Sequence, residues 1–226
     1  MKKLKITTQE QKEDECLPSC ILAVFKYWKI KTSLDEIIVK ISTDSDKLYD
    51  WDFKAGKLVI EKGLKAKIYS NVTQLFDPSW VNLNQKTLIK KLKQELNYSK
   101  KREKNIKKNP QQRNYYFPNE AIAKRVTKEI DSAIKFLKAG GKIDFSPISK
   151  ALIKKMIDKN IPIIASLNPI LLCRMKRGYN NLPDDIRGIS WGHAIIISGY
   201  TKNDFILSDP GGNFYKNSFS HKVNQN

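Results

Sequence analysis

The chain has 226 residues, 40% of them hydrophobic, enough for one sizeable domain with its own core. No apolar run approaches the ~18 residues needed to cross a bilayer, and Met1–Gln11 carries lysines without an apolar segment, so neither a membrane span nor a secretory signal is indicated. Three cysteines argue against a disulfide framework and suit a cytoplasmic protein, while a net charge of +19, spread as lysines along the chain, reads as a basic soluble surface before it reads as a nucleic-acid groove.

Leu4 and Ile6 alternate within Lys2–Thr8 and predict a short edge strand. Thr8–Glu15 is polar and contains Gln9 and Gln11. From Asp14 to Trp28, the residues Leu17, Ile21, Val24, Phe25 and Trp28 recur at helical spacing, so one face should be buried. Pro18 is tolerated only in a first turn, which puts Cys16 at or just before the helix N-terminus. Unpaired backbone N–H groups and the helix dipole there favour a thiolate. A nucleophile needs that bias; a small buried packing residue, the other reading of Cys16, does not.

Ser33-Leu34-Asp35-Glu36 matches a capping box for a helix reaching about Ile41. Thr43–Asp52 reads as an acidic loop, Gly56–Gly63 as the start of a short helix and Ala66–Val72 as a strand. Residues 82–140 differ in character. Leu88, Ile89, Leu92 and Leu96 form a narrow apolar stripe among lysines, and Asn82–Tyr116 holds eleven Lys/Arg against two Glu. Asn109-Pro110 breaks this helix. Asn119–Leu137 is a second amphipathic helix, with Ile122, Val126, Ile130, Ile134 and Leu137 on one side and Gly140-Gly141 at its end. The pair is expected to be a basic helical insertion or lid within a single domain spanning 1–226. Tyr98, Tyr115 and Tyr116 are too few and scattered for a base-stacking platform, which argues against nucleic acid. Ser146-Pro147 predicts the cap and first position of a helix reaching about Lys159. Ile161–Leu167 follows as a β-branched strand, Asn168–Arg187 as a loop with a helical turn, and Trp191–Tyr200 with Asp204–Asp209 as a hairpin.

The chain has only two histidines, His193 and His221. If Tyr200 faces Asp204, then Ile195 faces Asp209, and His193 and Asp209 are diagonal neighbours on one face of the hairpin. A carboxylate there can hold the imidazole tautomer and stabilise the imidazolium, so Cys16, His193 and Asp209 form a nucleophile–base–acid set. An upstream glutamine could add its amide to the Cys16 N–H as an oxyanion hole. Taken singly, His193 is a strand-end histidine and Asp209-Pro210 a plain turn. Cys20 and Cys173 read as packing residues and His221 as incidental. The spacing of Cys16, Cys20 and His193 lacks a usual zinc pattern, so no metal or cofactor is expected.

Three segments together resemble the papain-like bacteriocin-leader (double-glycine) peptidase family and its stand-alone relatives. They are Glu15-Cys16-Leu17-Pro18-Ser19-Cys20, then Trp191-Gly192-His193-Ala194-Ile195-Ile196-Ile197-Ser198-Gly199-Tyr200, then Leu207-Ser208-Asp209-Pro210-Gly211. The resemblance covers the start of the chain and its last third. It implies an α+β, papain-like fold in which an N-terminal catalytic helix packs on a small antiparallel sheet. It also implies Cys16 as nucleophile, His193 as base and Asp209 as orienting acid. The chain departs from the family at Leu17, where a glycine is usual, and at Glu10, where the oxyanion glutamine usually stands. Gln11 is therefore the first candidate for that role and Gln9 the alternative. The implied function is a cysteine peptidase or amidohydrolase cleaving a peptide or amide bond through a thioester. Separately, the charge of Asn82–Tyr116 is expected to bias the site toward acidic or polar substrates, and the lack of an apolar span leaves no membrane partner expected. A papain-like acyltransferase using an amine or thiol acceptor is one alternative. A catalytically inactive basic binding module for nucleic acid or an acidic partner is the other.

Overall fold

The computed structural model describes residues 1–12, 14–42, 51–70, 75–109, 111, 119–170, 176–180, 182–190, 192–211 and the backbone of 222–224. Expectations that rest on 43–50, Val72, Pro110, Tyr115, Tyr116, Cys173, Trp191 and His221 lie outside the described residues. In chain order the elements are β1 (Lys2–Lys3), α1 (Cys16–Tyr27), α2 (Leu34–Ile41), α3 (Trp51–Glu61), β2 (Lys67–Tyr69), a 3-10 turn at Pro78–Trp80, α4 (Gln85–Lys108), α5 (Glu120–Lys138), β3 (Lys142–Asp144), α6 (Lys150–Asp158), β4 (Ile163–Leu167), β5 (Gly178–Tyr179), β6 (Leu182–Pro183), β7 (His193–Tyr200), β8 (Asp204–Ser208) and β9 (Lys222–Asn224). The fold is α+β, as expected, and its main sheet is antiparallel. None of the described helices is long and apolar enough to cross a membrane. The chain forms two compact units, Met1–Ile38 with Ile148–Asn226, and Val39–Pro147.

The first unit is built on β7. Its run of Ala194, Ile195 and Ile196 is buried, which suits β-branched side chains covered on both faces of a sheet. β8 pairs with one edge of β7, β4 pairs with the other, and β1 continues the β4 edge at Gly199 and Tyr200. α1 and α6 both pack on β7. Ile21 and Phe25, one helical turn apart on α1, are both fully buried, each contributing about 1.5–3 kcal/mol by burial.

The hairpin register carries the site. At the turn, Tyr200 pairs with Phe205 and Gly199 with Ile206, one step away from the pairing expected with Asp204. A bulge between Ile197 and Gly199 then resets the ladder, so that Ile197 pairs with Leu207 and Ile196 with Ser208. Extending that register by one step brings Ile195 opposite Asp209, the relation expected from sequence. The bulged Ser198 is buried but satisfied: its hydroxyl donates to the Ile206 carbonyl and accepts from Ser208 Oγ. Gly199 is required for a different reason. A Cβ there would sit 2.5 Å from the Lys2 carbonyl oxygen and 2.9 Å from Lys3 Cα. Gly199→Ala should therefore push β1 off the sheet and cost about 1–3 kcal/mol in denaturant melts; an unchanged midpoint would show that β1 contributes nothing to stability.

The second unit is a helical hairpin with a small parallel ribbon. α4 and α5 run antiparallel, since Gln85 Nε2 donates to the Leu137 carbonyl, Ser99 bonds Thr127 at 2.9 Å, and Lys107 lies 3.7 Å from Glu120. Phe53, Phe76, Leu88, Leu92, Leu96, Val126, Ile130 and Phe136 make its core, and β2 pairs with β3. Residues 82–140 lie inside this unit. Lys86, Lys93, Lys100 and Lys107 recur every seven residues on an exposed flank of α4, the last of them paired with Glu120.

Several boundaries differ from expectation. α6 is capped by Ser149, whose Oγ accepts from Leu152 N–H, and not by Ser146. Ser146 instead lies in a turn closed by Asp144, whose Oδ1 accepts from its N–H. α3 begins at Trp51, well before Gly56. Within the stretch expected as loop, β5 and β6 form a two-stranded hairpin turned at Asn180 with φ 47°, a conformation asparagine tolerates.

Candidate active site

Cys16 is the first residue of α1, with Glu15 as its N-cap. Glu15 makes no side-chain hydrogen bond to the helix; its Oε2 accepts from Lys12 N–H at 3.1 Å instead. Asp14 takes φ 61°, and Glu15 N–H closes a turn onto the Lys12 carbonyl, so the strap carrying Gln11 bends sharply into the helix. Pro18 sits in the first turn, as its missing N–H requires.

His193 opens β7 and is only 3% exposed. Its Nε2 donates to Asp209 Oδ1 at 2.7 Å, and Asp209 is fully buried. A carboxylate only accepts, so this bond puts the proton on Nε2 and leaves Nδ1 for the second partner of the ring, the Cys16 thiol. Asp209 Oδ1 also accepts from Gly211 N–H at 2.7 Å. The three residues expected from sequence are thus brought together, in the order thiol, imidazole, carboxylate. Burial pulls the imidazole pKa down. The hydrogen bonds that the ring donates to Asp209 and then Cys16, with the negative charge of both, outweigh burial and raise it from 6.5 to about 9. The ring is therefore positively charged at neutral pH, which is the form that stabilises a neighbouring thiolate.

The two glutamine candidates separate clearly. Gln11 N–H donates to the Pro210 carbonyl at 2.9 Å, beside Asp209, and its side-chain Oε1 is buried without a hydrogen-bond partner. Gln9 faces the other way, where its Oε1 accepts from Lys26 Nζ at 3.3 Å on an exposed part of α1. Cys20 is fully buried, and its thiol donates to the Ala194 carbonyl at 3.4 Å. That bond ties α1 to β7 one residue past His193. Burial first, then the negative charge of Cys16 and Asp209, raise the Cys20 pKa well above its usual value, so Cys20 remains a thiol.

Sequence reasoning missed Thr8, whose Oγ1 donates to the Asp209 carbonyl at 3.2 Å. A signal for it was present: Leu4, Ile6 and Thr8 continue one period-two series, and all three are buried. A buried hydroxyl has to find an acceptor. Among the described residues, no cluster of His, Cys, Asp and Glu side chains is grouped to hold a metal ion.

No curated protein and no solved structure was found to match the chain. A model of the Peptidase_C39 like family matches residues 2–224, from β1 to β9. The chain therefore belongs to the Peptidase_C39 like family, a membership that carries a cysteine-peptidase type of function with it.

Proposed function

We propose that this protein is a cysteine peptidase or amidohydrolase in which Cys16, His193 and Asp209 act as a catalytic triad. The observation that carries the reading is the buried 2.7 Å bond between His193 Nε2 and Asp209 Oδ1, which leaves the other ring nitrogen for Cys16 at a helix N-terminus. Cys16 thiolate attacks the carbonyl carbon of a peptide or amide. The oxyanion that forms accepts from the Cys16 backbone N–H and the Gln11 side-chain amide. As the C–N bond breaks, the imidazolium gives its proton to the leaving amine, and a thioester remains. Water then attacks the thioester while the imidazole takes a proton from it. The acid departs, and the thiolate–imidazolium pair is restored. The net charge of +19 supports a preference for acidic substrates, since a field of one sign acts beyond contact distance. A cytoplasmic location, where thiols stay reduced, suits a free nucleophile.

The test is alkylation of each cysteine between about pH 5 and 8, followed by turnover of a peptide library. Cys16 should react far faster than Cys20, and peptide acids should accumulate. Faster reaction at Cys20 would reject the assignment. If an added amine acceptor diverts the product to a new amide, the enzyme is the acyltransferase of the same fold. Reactive Cys16 without any turnover would favour the inactive binding module.

A further inference from the structure

The ladder of β8 ends at Ser208, yet Asp209, Pro210 and Gly211 are all buried. Pro210 has no N–H, so the pairing cannot continue through it. The carbonyls of Asp209 and Pro210 still need donors, because buried backbone oxygens are almost always paired. Both donors come from one N-terminal strap. Thr8 Oγ1 donates to the Asp209 carbonyl at 3.2 Å, and Gln11 N–H donates to the Pro210 carbonyl at 2.9 Å.

Thr8 is the third member of the inward series begun by Leu4 and Ile6, with exposures of 3%, 7% and 6% in order. Packing alone would be served by valine, which has the same shape and no hydroxyl to desolvate. The hydroxyl stands where the Asp209 carbonyl needs a donor. That carbonyl and the Asp209 carboxylate hang from one Cα, and the carboxylate is itself held by His193 Nε2 and Gly211 N–H. The 209–210 peptide leads directly to the Gly211 N–H that Oδ1 accepts from, so displacing it would move that donor and release the carboxylate from the orientation it holds toward the imidazole.

We infer that Thr8 is a positioning residue for Asp209: its hydroxyl fixes the peptide that aims the carboxylate at His193. The inference rests on the triad reading above and adds to it a group outside the triad. The strap also carries Gln11, so one short segment sets the acid and the oxyanion donor together. Among the described residues, Asp209 and Cys16 both place negative charge against the imidazole. Cys20 on α1 stays a neutral thiol, and β4 opposes His193 with Leu167. A change in imidazole titration therefore reports the placement of Asp209.

The experiment measures the pH profile of Cys16 alkylation by iodoacetamide, peptide turnover and thermal melts. It compares the parent protein with Thr8→Val, Thr8→Ala and Thr8→Ser, the alanine variant guarding against a fold defect specific to valine. Val and Ala should lower the pH at which the imidazolium is lost and cut kcat by roughly tenfold to a hundredfold with little change in KM. Ser should restore both. In an Asp209→Asn background, Thr8→Val should leave the alkylation profile where Asp209→Asn alone puts it. Val and Ala variants that melt lower but keep the parent profile and kcat would overturn the inference and leave the triad reading standing. A parent protein whose Cys16 reacts no faster than Cys20 would overturn the triad reading, and this inference with it.

Discussion

Cys16→Ala and His193→Ala should each lower peptide turnover by on the order of a millionfold, to the background left by substrate binding and the oxyanion donors. The two groups hold one proton between them, so removing either leaves the other without a function: a thiol with no cation beside it, or an imidazolium with no nucleophile. The losses should therefore not add, and Cys16→Ala combined with His193→Ala should be about as slow as either alone. Stability should separate the two variants. Cys16 is partly exposed at the start of α1, so truncating it leaves little cavity. His193 is 3% exposed and bonded to a fully buried carboxylate, so His193→Ala strands Asp209 and should cost about 3–5 kcal/mol. Turnover alongside thermal melts checks both statements. Substantial turnover by folded Cys16→Ala would remove the thiol from the mechanism.

Asp209→Asn should lower turnover by roughly ten-thousandfold, because a neutral amide permits the wrong imidazole tautomer and withdraws the charge that stabilises the imidazolium. Its effect on stability should depend on pH in a defined direction. The imidazole titrates at about 9 in the folded protein against an ordinary value of 6.5. A raised folded value means that the stabilisation is present in full below about 6.5 and is lost as pH rises through about 9. Without Asp209, only Cys16 is left to oppose burial, and that contribution shrinks. The gap in melting temperature between the parent and Asp209→Asn should thus be widest near the acidic end of this window and narrow toward pH 9 to 10. A gap that stays constant would show that the pair is a neutral hydrogen bond with no charge behind it. Asp209 is fully buried and accepts from Gly211 N–H as well as from His193.

Much of this site was legible in the chain itself, because the signals are local. Helical periodicity with Pro18 in the first turn places Cys16 at the mouth of α1. A β-branched run headed by His193 is a buried strand, and Asp209-Pro210 must end the next one, since proline cannot extend a ladder. Fixed-period geometry then puts His193 and Asp209 on one face. Tertiary structure decided the rest, for reasons no local pattern carries. The turn pairs one step away from the simple count, and only the bulge at Ser198, with its buried hydroxyl bonded across the hairpin, restores the register that Asp209 needs. Sequence ranks Gln11 ahead of Gln9 without separating their surroundings. Gln11 is separated from Gln9 by the distant carbonyl of Pro210, while Lys26 takes Gln9 to the surface. Thr8 and Asp209 lie 201 positions apart, and their bond exists because folding buries two carbonyls that the sheet leaves without donors. Periodicity and turn chemistry set which residues face inward along each element; the need to satisfy every buried polar group, met only when distant segments close on one another, sets which of them meet.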